Sequence, residues 1–146
     1  MKSNGLPVLL VGGGMISREV ILPTLFQERR RGKIGEIAIA SRRPETILEL
    51  RKIFVGEEFR GYPDPAKLGA GKGDPDAYKR ALSELAEDGM VVVATPDHLH
   101  TPVILDAIAA GHHMVVEKPL CLRTAEAHQI MEASREKGIY VLTDYH

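Results

Sequence analysis

Short apolar runs that stop in glycine or proline turns, with helical stretches between them, constrain the fold of this chain more than any other feature. Val91-Val92-Val93-Ala94 stops in Thr95-Pro96-Asp97-His98-Leu99-His100, and Val115-Val116 stops in Glu117-Lys118-Pro119. An apolar run this short, bounded by turn residues, suits a strand buried on both faces. In open α/β sheets, ligands bind outside the carboxyl ends of the strands. The two turns therefore offer His98, His100, Glu117 and Lys118 to one crevice.

The remaining punctuation repeats the pattern. Pro7 to Val11 reads as a strand ended by Gly12-Gly13-Gly14. A helix is predicted from Ile16 to Arg30, and Pro23 inside it should kink or split it because proline lacks a backbone donor. Arg29-Arg30-Arg31-Gly32-Lys33 reads as a solvated helix end with a glycine stop. Ile37 to Ala40 is a second strand. Pro44 to Phe54 is a helix with proline at its first position and Ile47, Leu50 and Phe54 on one face. Phe59 to Tyr62 reads as a short strand, and Pro63 to Pro75 as a motif-free loop rich in proline and glycine. Helical spacing returns from Asp76 to Glu87, with Tyr78, Leu82 and Leu85 aligned. Met90 to Ala94 is a strand, Pro102 to Ala110 a helix and Met114 to Val116 a strand. Thr124 is expected to cap a helix running to Lys137, with Gly138 as its stop, before a last strand from Ile139 to Thr143. Strands alternating with helices, all uniformly apolar, predict an α/β fold: a doubly wound parallel sheet of the Rossmann type, three layers deep and covered on both faces.

The chain has 146 residues, which favours a single domain over its whole length. A domain of this size buries about 70% of the surface its unfolded chain exposes, enough to stand without staples. The net charge of −1 supplies no electrostatic footprint for nucleic acid or an anionic membrane. With one cysteine, Cys121, no intrachain disulfide can form, and Cys121 reads as a small packing residue rather than a nucleophile. The apolar run Leu6 to Val11 is too short to span a bilayer and lacks a cleavage site, so the expected location is cytoplasmic.

Chemistry concentrates at the turns. Gly12-x-Gly14-x-x-Ser17 lies between a strand and a helix, the context that the dinucleotide fingerprint requires. Gly12 permits the tight turn, Gly14 lets the backbone approach a pyrophosphate, and the helix amino end faces the anion. Ser17 stands where the fingerprint has Gly or Ala. The plainer alternative is a structural turn. The second strand ends in Ser41-Arg42-Arg43, with no acid to bind a ribose 2′-hydroxyl. These residues suit a 2′-phosphate, and one charge-assisted bond would favour NADP over NAD by roughly tenfold to a hundredfold. The alternative is an ordinary solvated helix start. Lys118, at a strand's carboxyl end beside Pro119, is placed to join proton transfer, with Glu117 to orient it. His98, His100 and the nearby His112-His113 do not form a closed ligand set for zinc, so no metal is expected.

Together Gly12-x-Gly14, Ala94-Thr95-Pro96-x-His98-x-His100 and Glu117-Lys118-Pro119 resemble the amino-terminal half of the glucose–fructose oxidoreductase/inositol dehydrogenase/rhizopine-catabolism family. The resemblance covers essentially the whole chain. It implies a Rossmann domain in which Gly12, Gly14, Met15 and Ile16 hold the pyrophosphate of NADP or NAD. Ser41, Arg42 and Arg43 would hold the adenosine ribose, and Ala94, Thr95 and Pro96 would lie along the cofactor. His100 and Glu117 would sit near the nicotinamide, and Lys118 would contact the reacting hydroxyl or carbonyl of a sugar or cyclitol. It also implies a second, substrate-binding α/β domain that this chain lacks, so the chain alone is expected to be inactive and to self-associate through its last strand. Two other readings stay open. One is a non-catalytic NADP(H)-binding sensor that would not depend on Lys118. The other is a methyl transferase with a similar glycine loop, which gives no reason for Glu117-Lys118-Pro119.

Overall fold

A computed structural model describes residues 5–69 and 71–145. The strands are β1 (Leu6–Val11), β2 (Ile34–Ala40), β3 (Arg60–Tyr62), β4 (Met90–Val93), β5 (Met114–Glu117) and β6 (Val141–Asp144). The helices are α1 (Leu22–Arg30), α2 (Pro44–Ile53), α3 (Ala77–Glu84), α4 (His100–Ala109) and α5 (Thr124–Lys137). All strand pairs are parallel, in the order β3-β2-β1-β4-β5-β6. The chain winds outward from β1 through β2 to β3, then returns to β4 on the other side of β1. In open α/β sheets such a reversal marks the crevice, outside the strands' carboxyl ends, where ligands bind, and here it falls at β1 and β4.

Alternate residues of each strand feed two cores. Val8, Leu10, Ile39 and Val92 pack with Leu22, Phe26, Ile47 and Leu50 from α1 and α2. Leu9, Val11, Val91, Val93 and Val116 pack with Ala81, Ile104, Ile108 and Ile130 from α3, α4 and α5. Each large side chain so enclosed contributes about 1.5–3 kcal/mol relative to leaving it exposed. The expectation of cover on both faces holds only for the centre of the sheet. Along the register row Leu10, Val92, Val115 and Leu142, Leu10 is fully buried, Val92 is 7% exposed and Leu142 is 60% exposed. The face lined by α1 and α2 is therefore open at β6.

The first helix divides at Pro23, as one of the two expected outcomes. Met15 and Ile16 are already helical, Ser17–Ile21 forms a π turn, and the Leu22 N–H donates to the Ser17 carbonyl as α1 begins. Pro23 thus stands in the first turn of α1, where its missing donor is not needed. Several local expectations need correction. The arginine run is not merely solvated. Arg29 and Arg30 both pair with Glu57, Arg31 pairs with Glu28 at 2.8 Å, and Arg29 lies over the Phe26 ring. Thr124 is the first residue of α5 rather than its cap. The Glu126 carboxylate closes that end by accepting from the Leu122 and Arg123 N–H groups at 3.2 and 3.1 Å. Strand β3 starts at Arg60 and β6 at Val141, each later than expected, and α4 begins at His100 after a 3₁₀ turn, Asp97–Leu99.

Candidate functional site

Four turns meet at the carboxyl edge of the sheet. The first follows β1. Gly12 has φ of 115°, and a Cβ there would lie 2.3 Å from the Ala94 carbonyl oxygen. Only glycine allows β1 and β4 to approach so closely. Gly13 is packed as tightly, since its Cβ would meet Thr46 at 2.5 Å, whereas nothing lies within 4 Å of a Cβ on Gly14. The loop is tied from both sides. The buried Ser17 hydroxyl donates to the Gly12 carbonyl at 2.8 Å, and Arg18 Nε donates to the Gly13 carbonyl at 3.1 Å while its guanidinium pairs with Glu49 at 2.7 Å. Ser17 thus does more than fit where a small residue is wanted. The helix begun by Met15 and Ile16 points its amino end at the open side of Gly14, and first-turn N–H groups have no intrahelical partner.

The second turn follows β2. The Ser41 N–H donates to the Tyr62 carbonyl at 2.8 Å, which leaves Ser41 partly exposed and Arg42 and Arg43 exposed. The loop for which the sequence offered no motif docks here. The Asp74 N–H donates to the Arg42 carbonyl at 2.7 Å, and the Gly71 N–H donates to the Glu45 carboxylate at 2.8 Å. The Gly71 bond, then the Glu45 backbone N–H and the Arg43 charge, hold the Glu45 carboxyl below its ordinary 4.5.

The third and fourth turns follow β4 and β5. Ala94 is buried, and its N–H donates to the Val11 carbonyl at 2.8 Å. Thr95 Oγ1 is buried with no hydrogen-bond partner among the described residues. Pro96, Asp97 and His98 are exposed. Glu117 is 9% exposed and Lys118 is exposed, with a cis peptide bond joining Lys118 to Pro119. His100 is fully buried, with Nδ1 2.7 Å from the Pro119 carbonyl oxygen and Nε2 2.9 Å from that of Thr95. Each nitrogen stands within hydrogen-bond distance of one carbonyl, and which of them donates depends on the tautomer. Among the described residues, no group of three His, Cys, Asp or Glu could hold a metal ion. The buried His112 instead contacts the Gly89 carbonyl at 2.9 Å, and His113 accepts from the Tyr140 N–H.

This edge fits a dinucleotide. It combines a glycine surface open at Gly14, a helix amino end, an orphaned Thr95 hydroxyl and cations at the end of β2. Residues 6–145 match the GFO_IDH_MocA model, described as an oxidoreductase family with an NAD-binding Rossmann fold. The chain belongs to the GFO_IDH_MocA family. It is therefore an NAD(P)-binding Rossmann domain of an oxidoreductase family. It is 29% identical to the dTDP-3,4-didehydro-2,6-dideoxy-alpha-D-glucose 3-reductase of Actinomadura kijaniata, over 99% of this chain and 37% of that protein. It is 35% identical to the 1,5-anhydro-D-fructose reductase of Ensifer adhaerens, over 80% of this chain and 36% of the relative. The crystal structure of KijD10, a 3-ketoreductase from Actinomadura kijaniata in complex with NADP and TDP-benzene, superposes with a TM-score of 0.71 at 28% identity, covering 97% of this chain and 37% of that one. The chain thus spans little more than a third of the length of these GFO_IDH_MocA relatives.

The expected glycine, Ser41–Arg43, Thr95 and Lys118 positions all fall along this one edge. Reading the sequence missed Arg18, Glu45 and the Gly71–Asp74 segment, because each acts on backbone supplied by a distant element. No local spacing signals such contacts.

Proposed function

We propose that this chain is the cofactor half of an oxidoreductase that moves hydride between NADP(H) and a hydroxyl or keto group of a sugar or cyclitol. One observation carries the reading. The β1 and β4 turns approach so closely that only Gly12 fits between them, and the β5 turn bearing Lys118 is tied to the same place. The bound nicotinamide would supply the hydride chemistry. The protein supplies position. Gly12 shapes the turn, its own N–H held by the Ala40 carbonyl at 2.8 Å, and the backbone from Gly13 and Gly14 to Met15 and Ile16 presents N–H groups to the pyrophosphate. Ser41, Arg42 and Arg43 face the 2′-phosphate with charge-assisted donors. Ala94, Thr95 and Pro96 line the path of the cofactor, and the Thr95 hydroxyl gains there the partner it otherwise lacks. Lys118 Nζ, exposed at the mouth of the crevice, donates a proton to the carbonyl oxygen during reduction and takes one from the hydroxyl during oxidation. Glu117, buried beside it, would orient Lys118 and face the nicotinamide side.

The sugar class is supported by the relatives, which are named as reductases of a dTDP-linked keto-sugar and of anhydrofructose. The chain matches little more than a third of those relatives, and in this reading the rest of the substrate pocket is built by the part that it does not match. The test is a Lys118→Ala exchange. Calorimetry should show NADPH affinity changed by less than about threefold, since Lys118 does not hold the cofactor. Reduction of keto-sugars by NADPH, after supplying the carboxy-terminal half of a relative, should be lost. Turnover that survives the exchange would remove Lys118 from the chemistry, whereas a parent protein that binds NADPH and shows no turnover would favour a cofactor-sensing module.

The open side of β6 supports self-association with a second copy. β6 is an outer strand, Leu142 is 60% exposed, and Tyr140 and Tyr145 are 71% and 76% exposed. Sedimentation should show a dimer that dissociates on dilution, and a monomer at every concentration would reject it.

A further inference from the structure

His100 is a buried polar side chain that the proposed chemistry does not use. Its ring has no exposed surface, yet each nitrogen meets a backbone carbonyl, Pro119 at 2.7 Å and Thr95 at 2.9 Å. The two carbonyls belong to different turns. One is the residue after Lys118, and the other is the residue whose own hydroxyl is orphaned at the cofactor edge. A buried carbonyl that loses its donor bears the cost of desolvation without return. A ring wedged between two such carbonyls therefore resists any change in their separation.

We propose that His100 is a positioning residue: it staples the Lys118–Pro119 turn to the Thr95–Pro96 turn and so sets where Lys118 stands relative to the cofactor. It acts from behind the crevice, through hydrogen bonds to backbone, and does not touch the cofactor. The proposal rests on the crevice being the cofactor site. The staple itself is a property of the protein alone.

Side-chain geometry allows the two bonds to be separated. The amide nitrogen of Asn reaches where histidine Nδ1 lies, and that of Gln reaches where Nε2 lies. His100→Gln should keep the bond to Thr95, His100→Asn the bond to Pro119, and His100→Phe neither, while roughly filling the space. The carbonyl ¹³C signals of Thr95 and Pro119 report each bond directly. In the chain without cofactor, the Pro119 signal should move in the Gln variant, the Thr95 signal in the Asn variant, and both in the Phe variant. NADPH titration should show binding weakened about tenfold in the Phe and Asn variants and largely recovered in the Gln variant.

A ring that only fills space would make a different pattern. The Phe variant would then bind NADPH as the parent does, or Gln and Asn would behave alike in both measurements, and either result overturns the staple. Should the Phe variant not fold, the Gln and Asn pair decides the question. Should the parent chain bind no NADPH, the cofactor reading fails, and the carbonyl signals still decide the staple independently.

Discussion

The two halves of the crevice are built by different means. The half proposed to hold the phosphates, around Gly12–Ser17 and Ser41–Arg43, is shaped by backbone that tolerates no side chain at Gly12 and presents exposed cations at its rim. The half proposed to react, around Thr95 and Lys118, has one buried ring, His100, between the carbonyls of its two turns. A backbone-made site is rigid because its alternatives clash. A stapled site is rigid because its alternatives leave carbonyls unpaired. The first kind fails all at once when a methyl group is added, and the second fails by degrees as donors are removed.

The largest expected effect is at Gly12. In Gly12→Ala the new Cβ would collide with the Ala94 carbonyl at a φ that L-residues rarely adopt, at an expected cost of about 3 kcal/mol or more. Thermal melting should drop well below that of the parent, with cofactor binding lost. Gly14→Ala sharpens the contrast. Its Cβ meets nothing within 4 Å, so melting should be unchanged, while NADPH binding weakens about tenfold because the methyl stands where the pyrophosphate approaches. Equal losses of stability in the two variants would break the distinction between a packed and an open glycine.

Next in size is the rim. Ser41→Ala with Arg42→Ala should weaken NADPH binding by roughly tenfold to a hundredfold and leave NADH binding little changed. Parallel losses for both cofactors would mean that these residues act through the fold rather than on a 2′-phosphate. A control lies away from the crevice. The Tyr78 hydroxyl donates to Asp106 at 2.6 Å, and burial, then Asp106, raise its pKa. Tyr78→Phe should cost about 1 kcal/mol of stability with cofactor affinity intact. A Tyr raised in the folded state stabilises fully below its ordinary value of 10 and loses that contribution as pH rises through the folded value, so the parent should lose more stability than the variant in alkali.

The smallest effect is at the docked loop. The Gly71 bond lowers the Glu45 carboxyl in the folded chain. Its contribution is present above the ordinary 4.5 and is lost as pH falls through the lowered value. The Gly71 amide signal should therefore titrate below pH 4.5, and Glu45→Gln should abolish that titration. A Gly71 signal insensitive to acid would detach the loop from the crevice.

The sheet was legible because its strands are short apolar runs with abrupt ends, a pattern read within a few residues. The glycine turn was legible for the same reason, as Gly12-x-Gly14 is local. What stayed hidden depends on long-range contact. Pro23 predicted a kink or a split, and the helix does divide there, but nothing local signalled that a π turn over Ser17–Ile21 would make the join. Arg29 and Arg30 read as part of a solvated end, and their partner, Glu57, lies far along the chain. Thr124 looked like a cap, but Glu126 reaching back made that hydroxyl unnecessary. The resemblance set His100 beside the nicotinamide, and no local spacing signalled its contact with Pro119, which depends on β4 and β5 being neighbours.

Calorimetric titration of the purified chain with NADPH and with NADH, side by side, tests the central claim most directly. The account predicts one cofactor per chain, with NADPH bound at least about tenfold more tightly than NADH. Failure to bind either cofactor by a chain that melts cooperatively would contradict it.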